Sequence, residues 1–196
     1  VVSIRHKRAR SEAEVEAGKA GLAGTFVTNR YNALLQHQKS LGEGSASTVA
    51  FDGSANPKSS AIHENLKKWY ADKLESQALL TKAYVHNDPA AIAQLVQLTN
   101  ATWKAVGEAF ANLETKVQGP FALGDQLSLA DLHVVPWLAR IAAIAGGIQQ
   151  GEAQPLDKVQ AVVGGEGGKV GDKVRALWSA FSERPSFKAV YGDGLH

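Results

Sequence analysis

Gly119-Pro120-Phe121-Ala122-Leu123-Gly124-Asp125-Gln126-Leu127-Ser128-Leu129-Ala130-Asp131-Leu132-His133-Val134-Val135-Pro136-Trp137-Leu138-Ala139-Arg140-Ile141 is the stretch that decides the fold. Ser128 stands at an N-cap, where its hydroxyl accepts from the Asp131 N–H. Asp131, at N3, reaches back to the Ser128 N–H to complete a capping box. Its charge also suits the positive end of the helix dipole. Leu127 and Leu132 flank the box at N′ and N4, as a hydrophobic staple requires. The helix that follows, 129 to about 145, is apolar on most sides, through Leu129, Leu132, Val134, Val135, Trp137, Leu138, Ile141 and Ile144. Such a helix belongs in the centre of a domain. Pro136 removes the bond to the Leu132 carbonyl and predicts a kink. Gly146-Gly147 ends the helix.

Working outward, helical periodicity recurs on both sides. From Ser11 to Leu41, the side chains Val15, Leu22, Phe26, Ala33, Leu34 and Leu41 recur at helical spacing behind a second capping box, Ser11 with Glu14. One long helix is predicted there. Gly18, Gly21 and Gly24 lie three apart on one face, which suits the close approach of another backbone; each weakens the helix by about 1 kcal/mol relative to Ala. Residues 42–57 are rich in Gly and Ser and read as a loop. A second helix, 59–86, is predicted with Ile62, Leu66, Trp69, Tyr70, Leu74, Gln77, Leu80 and Tyr84 inward. Asp88 caps a third, 89–117, with Pro89 at N1. Its stripe is Ile92, Leu95, Val96, Thr99, Trp103, Val106, Phe110, Leu113 and Val117. Residues 146–171 read mostly as loop, with a short helix near 156–163. A helix over 172–182 and a last turn from Pro185 close the chain.

Strand signals are nearly absent, so the fold class is all-α, a bundle of about five or six helices. The 196 residues fit a single domain and suffice for a sizeable core. Apolar residues make up 44% and the net charge is +2, which implies no basic face for nucleic acid and no membrane surface. Arg5, His6, Lys7, Arg8 and Arg10 crowd the start and read as a solvated tail leading into a helix. There is no cysteine, so disulfides, thiolate nucleophiles and zinc–thiolate sites are excluded within this sequence. No apolar run reaches membrane-spanning length, and no signal-peptide pattern opens the sequence. Methionine is absent, position 1 included, so a processed or partial product is expected.

Gly124-Asp125 before the capping box, with Pro136-Trp137 and Arg140 inside the apolar helix, resembles the central helix of the glutathione transferase C-terminal domain. The Pro-Trp-x-x-Arg pattern is most similar to omega-type and related fungal members. Asn29 to Gln38 resembles the end of that domain's first helix. Ala176-Leu177-Trp178, then Arg184-Pro185-Ser186-Phe187, resembles its closing segment. The resemblance implies one helical domain over 1–196 with an inserted loop and helix at 42–88. It implies that the thioredoxin-like half, which binds most of the glutathione and carries the catalytic residue, lies outside this sequence. No catalytic residue is therefore assigned here. Glutathione is the implied co-substrate, and a small hydrophobic electrophile and a homodimer partner follow, in the cytoplasm. Arg140 matches a pocket arginine, or makes a helix-surface salt bridge. Trp137 walls that pocket or packs as a core tryptophan. Asn29, Arg30 and Tyr31 are candidates for substrate contact, and Ser128 and Asp131 have a folding role. The alternative is a non-catalytic interaction or ligand-binding module of the same fold, of translation-complex or ligand-carrier type.

Several tempting signals carry less. Gly164-Gly165-Glu166-Gly167-Gly168-Lys169 lacks the spacing of a phosphate loop and is followed by Val170. Asn100-Ala101-Thr102 is a glycosylation sequon in mid-helix and is expected to stay unmodified. His133, on the buried helix with no partner at i+4, reads as a hydrogen-bonded core histidine and not as a metal ligand.

Overall fold

The computed structural model describes residues 9–42, 57–147, 155–165 and 167–194. Most of the predicted 42–57 loop and all of the basic start before Ala9 lie outside them. The described residues are almost entirely helical: α1 Glu12–Lys19, α2 Leu22–Gly42, α3 Pro57–Ser76, α4 Ala78–Tyr84, α5 Pro89–Lys116, α6 Leu129–Ala145, α7 Pro155–Gly164, α8 Asp172–Ser182 and α9 Pro185–Tyr191. Phe121 and Gly124 make an isolated antiparallel bridge. The chain divides into two compact units, Val1–Gln97 and Leu98–His196.

In the first unit the predicted 11–41 helix is two helices. Ser11 caps α1, its Oγ accepting from the Glu14 N–H at 3.2 Å. The Glu14 carboxylate accepts from the Arg10 N–H at 2.6 Å, one residue upstream of the expected box partner. Ala9 is buried and Arg10 half-buried, so Arg10 is not part of a solvated tail. The break comes at Ala20-Gly21, where the Gly21 N–H turns to the Gly18 carbonyl at 3.2 Å. The three glycines do not share one role. A Cβ on Gly18 would meet the Tyr84 ring at 3.4 Å, one on Gly21 finds nothing nearer than 3.6 Å, and one on Gly24 would lie 2.1 Å from the Lys19 carbonyl oxygen. The close approach is the chain folding back on itself.

The predicted 59–86 helix is likewise divided, at Gln77, into α3 and α4. Leu80 and Tyr84 are buried as expected, but Ile62, Leu66 and Trp69 are exposed, Ile62 at 59% and Trp69 at 47%. The half-buried positions of α3 include His63, Lys67, Tyr70 and Leu74, one step round the helix from the apolar stripe. Tyr70 stacks on His37 of α2, centroids 5.7 Å apart, and Trp69 meets Tyr70 edge-on. This stacking turns the stripe 62-66-69 outward. The unit's core is Ala9, Val15, Val27, Leu80, Ala83, Tyr84, Ala91 and Leu95.

Burial raises the Tyr84 phenol above its ordinary value of 10.0, through lost solvation of the phenolate. The folded state therefore holds this proton more tightly than the unfolded chain. The associated stability is fully present below about pH 10 and is lost as pH rises through the raised folded value. Urea midpoints of the wild type should fall above pH 10, and the fall should flatten in Tyr84→Phe. Equal slopes would remove Tyr84 as the cause.

Asp88 caps α5 as the sequence implies, its Oδ1 accepting from Ala90 at 2.9 Å and Ala91 at 3.4 Å. In the second unit, Trp103 and Phe110 of α5 and Val117 just after it join Leu138, Ala139, Ile141 and Ala142 of α6, Leu156, Val159 and Val163 of α7 and Val174, Leu177 and Trp178 of α8 in one core. The glycine-rich 164–171 stretch is a structural join. Gly107 and Gly168 meet backbone to backbone, since a Cβ on Gly107 would lie 3.2 Å from the Gly168 Cα. The Gln160 carboxamide accepts from the Val170 N–H at 2.7 Å and donates to the Gly168 carbonyl at 3.3 Å.

Helix α8 has no cap of its own, because its N-cap is Gly171. Glu114 of α5 supplies one, its two oxygens accepting from the Lys173 and Val174 N–H groups at 3.0 Å each. A Cβ on Gly171 would lie 2.2 Å from the Glu114 carboxylate carbon. Glu114→Ala and Gly171→Ala should each cost about 1–2 kcal/mol in urea unfolding, as a lost cap does. Both act on the same carboxylate, so the double variant should cost little more than the worse single one. Full additivity would show that Glu114 is not the shared element.

Candidate functional site

The start of α6 is built around Asp131. The capping box with Ser128 forms, but its carboxylate does more than close the box. Asp131 is 0% exposed. Oδ2 accepts from the Ser128 N–H at 2.8 Å and from the Ser128 hydroxyl at 2.7 Å, and Oδ1 accepts from the Ala122 N–H at 2.7 Å. The carboxylate thus ties the 119–124 turn to the first turn of α6. Gly124, at φ +119, lets that turn close, with Phe121 and Gly124 exchanging N–H···O bonds of 3.0 and 3.2 Å. Leu127 and Leu132 both remain exposed, so the Asp131 bonds, not a buried staple, fix the entry to α6. The helix continues unbroken through Pro136 and ends as expected at Gly146, φ +103.

One side of α6 is buried through Val135, Leu138, Ala139, Ile141 and Ala142. The opposite side is exposed, Leu129 at 76%, which corrects the expectation of a helix buried all round. In the first turn of α6 only Asp131 is buried, Leu129, Ala130 and Leu132 staying exposed, and the core takes one stripe of the helix beyond it. His133 is exposed, not a core histidine. His133, Trp137 and Arg140 follow one another at spacings of four and three and so share a face. Trp137 is half-buried and packs on Phe110, centroids 5.4 Å apart and planes tilted by 39°. Arg140 is exposed and makes no ion pair among the described residues. An exposed guanidinium can donate to a carboxylate or other anion.

In the first unit, Asn29, Arg30 and Tyr31 stand on successive positions of α2, so they fan round the helix at about 100° steps. Asn29 and Arg30 are exposed; Tyr31 is half-buried. Tyr31 has a neighbour that its sequence position gave no reason to expect. The His86 ring meets it edge to face, centroids 5.7 Å apart and planes at 89°. Fifty-five positions separate the two, and only the return of α4 alongside α2 brings them together.

Among the described residues, no group of three His, Cys, Asp or Glu side chains is arranged to hold a metal ion. No described helix is long and apolar enough to cross a membrane. Residues 81–162 match the family model described as the glutathione S-transferase C-terminal domain. The matched segment takes in α4 from Thr81, all of α5 and α6, and α7 up to Val162. Comparisons with curated proteins and with solved structures give no match.

Proposed function

We propose that this chain is the helical part of a glutathione transferase-like protein, of the omega-type and fungal kind, and that it supplies contacts to the hydrophobic co-substrate and a dimer surface. The observation that carries the reading is the 81–162 match together with what it contains, a firmly capped α6 that presents Trp137 and Arg140 on one face, Arg140 with no ion pair among the described residues. In the reaction, the glutathione thiolate attacks an electrophilic carbon and the leaving group departs with the bonding pair. This chain has no cysteine and lends no thiolate of its own. Its part is to bind and orient. In the second unit, Trp137 offers an aromatic wall and Arg140 holds a polar or anionic end of the co-substrate; in the first unit, Asn29, Arg30 and Tyr31 of α2 are candidates for co-substrate contact in their own right. The setting is a cytoplasmic homodimer acting on small electrophiles.

The full protein should be retained on immobilised glutathione and released by free glutathione. Arg140→Ala should raise the KM for an anionic electrophile by about tenfold, the equivalent of about 1.4 kcal/mol of binding. Its thermal midpoint should hold, because the side chain is exposed. An unchanged kcat/KM would take Arg140 out of the site. A second reading, a non-catalytic module of translation-complex or ligand-carrier type, is favoured by the exposed stripe Ile62, Leu66 and Trp69 on α3. A protein that passes through the glutathione resin and elutes with other proteins would support it.

A further inference from the structure

We infer that His86 is a positioning residue for Tyr31, holding the tyrosine ring in the orientation in which it meets the co-substrate. The inference rests on the reading of Tyr31 as a co-substrate contact. It adds a residue that the sequence pattern did not single out and that touches no substrate itself.

The two rings make an edge-to-face pair at 5.7 Å and 89°, the arrangement that aromatic quadrupoles prefer over a flat sandwich. Tyr31 is half-buried on α2, and His86 meets its ring from outside that helix. Its ring turns on two torsions, which an edge-to-face neighbour narrows. His86 stands on a short, firmly bonded turn. Its N–H donates to the Thr81 carbonyl at 3.1 Å, the Asp88 N–H donates to the Lys82 carbonyl at 3.0 Å, and Asn87 between them is left-handed at φ +55. The cap that Asp88 places on α5 fixes the far side of the same turn. A ring carried on that turn narrows the torsions open to the Tyr31 ring that it meets edge to face. His86 is itself exposed, so replacing it removes the constraint without opening the core.

The test is a double-mutant cycle on the full protein, with thiol conjugation to an electrophile such as a chlorodinitrobenzene as the readout. Tyr31→Ala and His86→Ala should each raise the KM for the electrophile, His86→Ala by about fivefold, with kcat and the KM for glutathione held. The double variant should be no worse than Tyr31→Ala, because both remove one interaction. His86→Phe, which keeps a planar ring at the turn, should restore the KM. Thermal midpoints of the His86 variants should stay within a few degrees of wild type, so a KM effect cannot come from partial unfolding. If Tyr31→Ala raises KM while His86→Ala does not, the positioning role is overturned and the co-substrate reading of Tyr31 stands. If Tyr31→Ala changes nothing, that reading falls and takes this inference with it.

Discussion

Asp131→Ala should be among the most damaging single substitutions in the second unit, costing about 3–5 kcal/mol of unfolding free energy. The side chain is fully buried and accepts three hydrogen bonds, from the Ala122 N–H, the Ser128 N–H and the Ser128 hydroxyl. Removing it strands two backbone donors, each costing about 1–3 kcal/mol when left unmade in the interior, and forfeits a negative charge at the N-terminal end of α6. Asp131→Asn should fall between. One amide oxygen can replace one acceptor, but the NH2 group would face a donor and the charge is gone. Ser128→Ala should cost only about 1 kcal/mol, since it removes a single hydroxyl and leaves the Ala122 bond intact. Urea unfolding of the three variants checks the order. Equal costs for Ser128→Ala and Asp131→Ala would mean that the bond to Ala122 contributes nothing.

That ordering shows where the sequence was legible. The Ser-x-x-Asp spacing announced a helix start because capping is local chemistry, decided within four residues. The stripe of α5, the cap at Asp88 and the Gly146 terminus were readable for the same reason. The bond from Asp131 to Ala122 was not, because it joins residues nine apart through a turn whose shape depends on Gly124 being left-handed. Glu114 capping α8 and His86 meeting Tyr31 lie further still beyond pattern, since each depends on how helices return past one another. The α6 face was misread for a related reason. Apolar residues all round a helix do not bury it when the core takes only one stripe, so Leu129, Leu132 and His133 stay outside. In the candidate site, Arg140 and Trp137 stand out by motif and share a face with His133 by spacing alone, while the packing of Trp137 on Phe110 required the fold.

Gly24→Ala should disrupt the join between α1 and α2, at a cost of about 3 kcal/mol. Periodicity alone made Gly18, Gly21 and Gly24 equivalent, three small residues on one helix face. The fold separates them. At Gly24 an added Cβ would sit 2.1 Å from the Lys19 carbonyl oxygen and 2.7 Å from the Lys19 Cα and carbonyl carbon. Those are backbone atoms at the end of α1, and no rotamer change can move them aside. Either α1 swings away from α2 or α2 unwinds its first turn, and overpacking of this kind costs about 1–3 kcal/mol or more. Val15, buried from α1, would be drawn out of the first unit's core in the process. At Gly21 a Cβ finds only ordinary contacts, the nearest at 3.6 Å. Gly21→Ala should therefore be neutral or stabilise by about 0.4–1 kcal/mol, by reducing the freedom of the unfolded chain. At Gly18 a Cβ touches the Tyr84 ring at 3.4 Å, so Gly18→Ala should be tolerated. Thermal midpoints of the three variants give the ranking, and amide exchange along Glu12–Lys19 locates the damage. Exchange in α1 should rise in Gly24→Ala and stay slow in Gly21→Ala. A Gly24→Ala variant as stable as Gly21→Ala would show that α1 does not pack against α2 at this point.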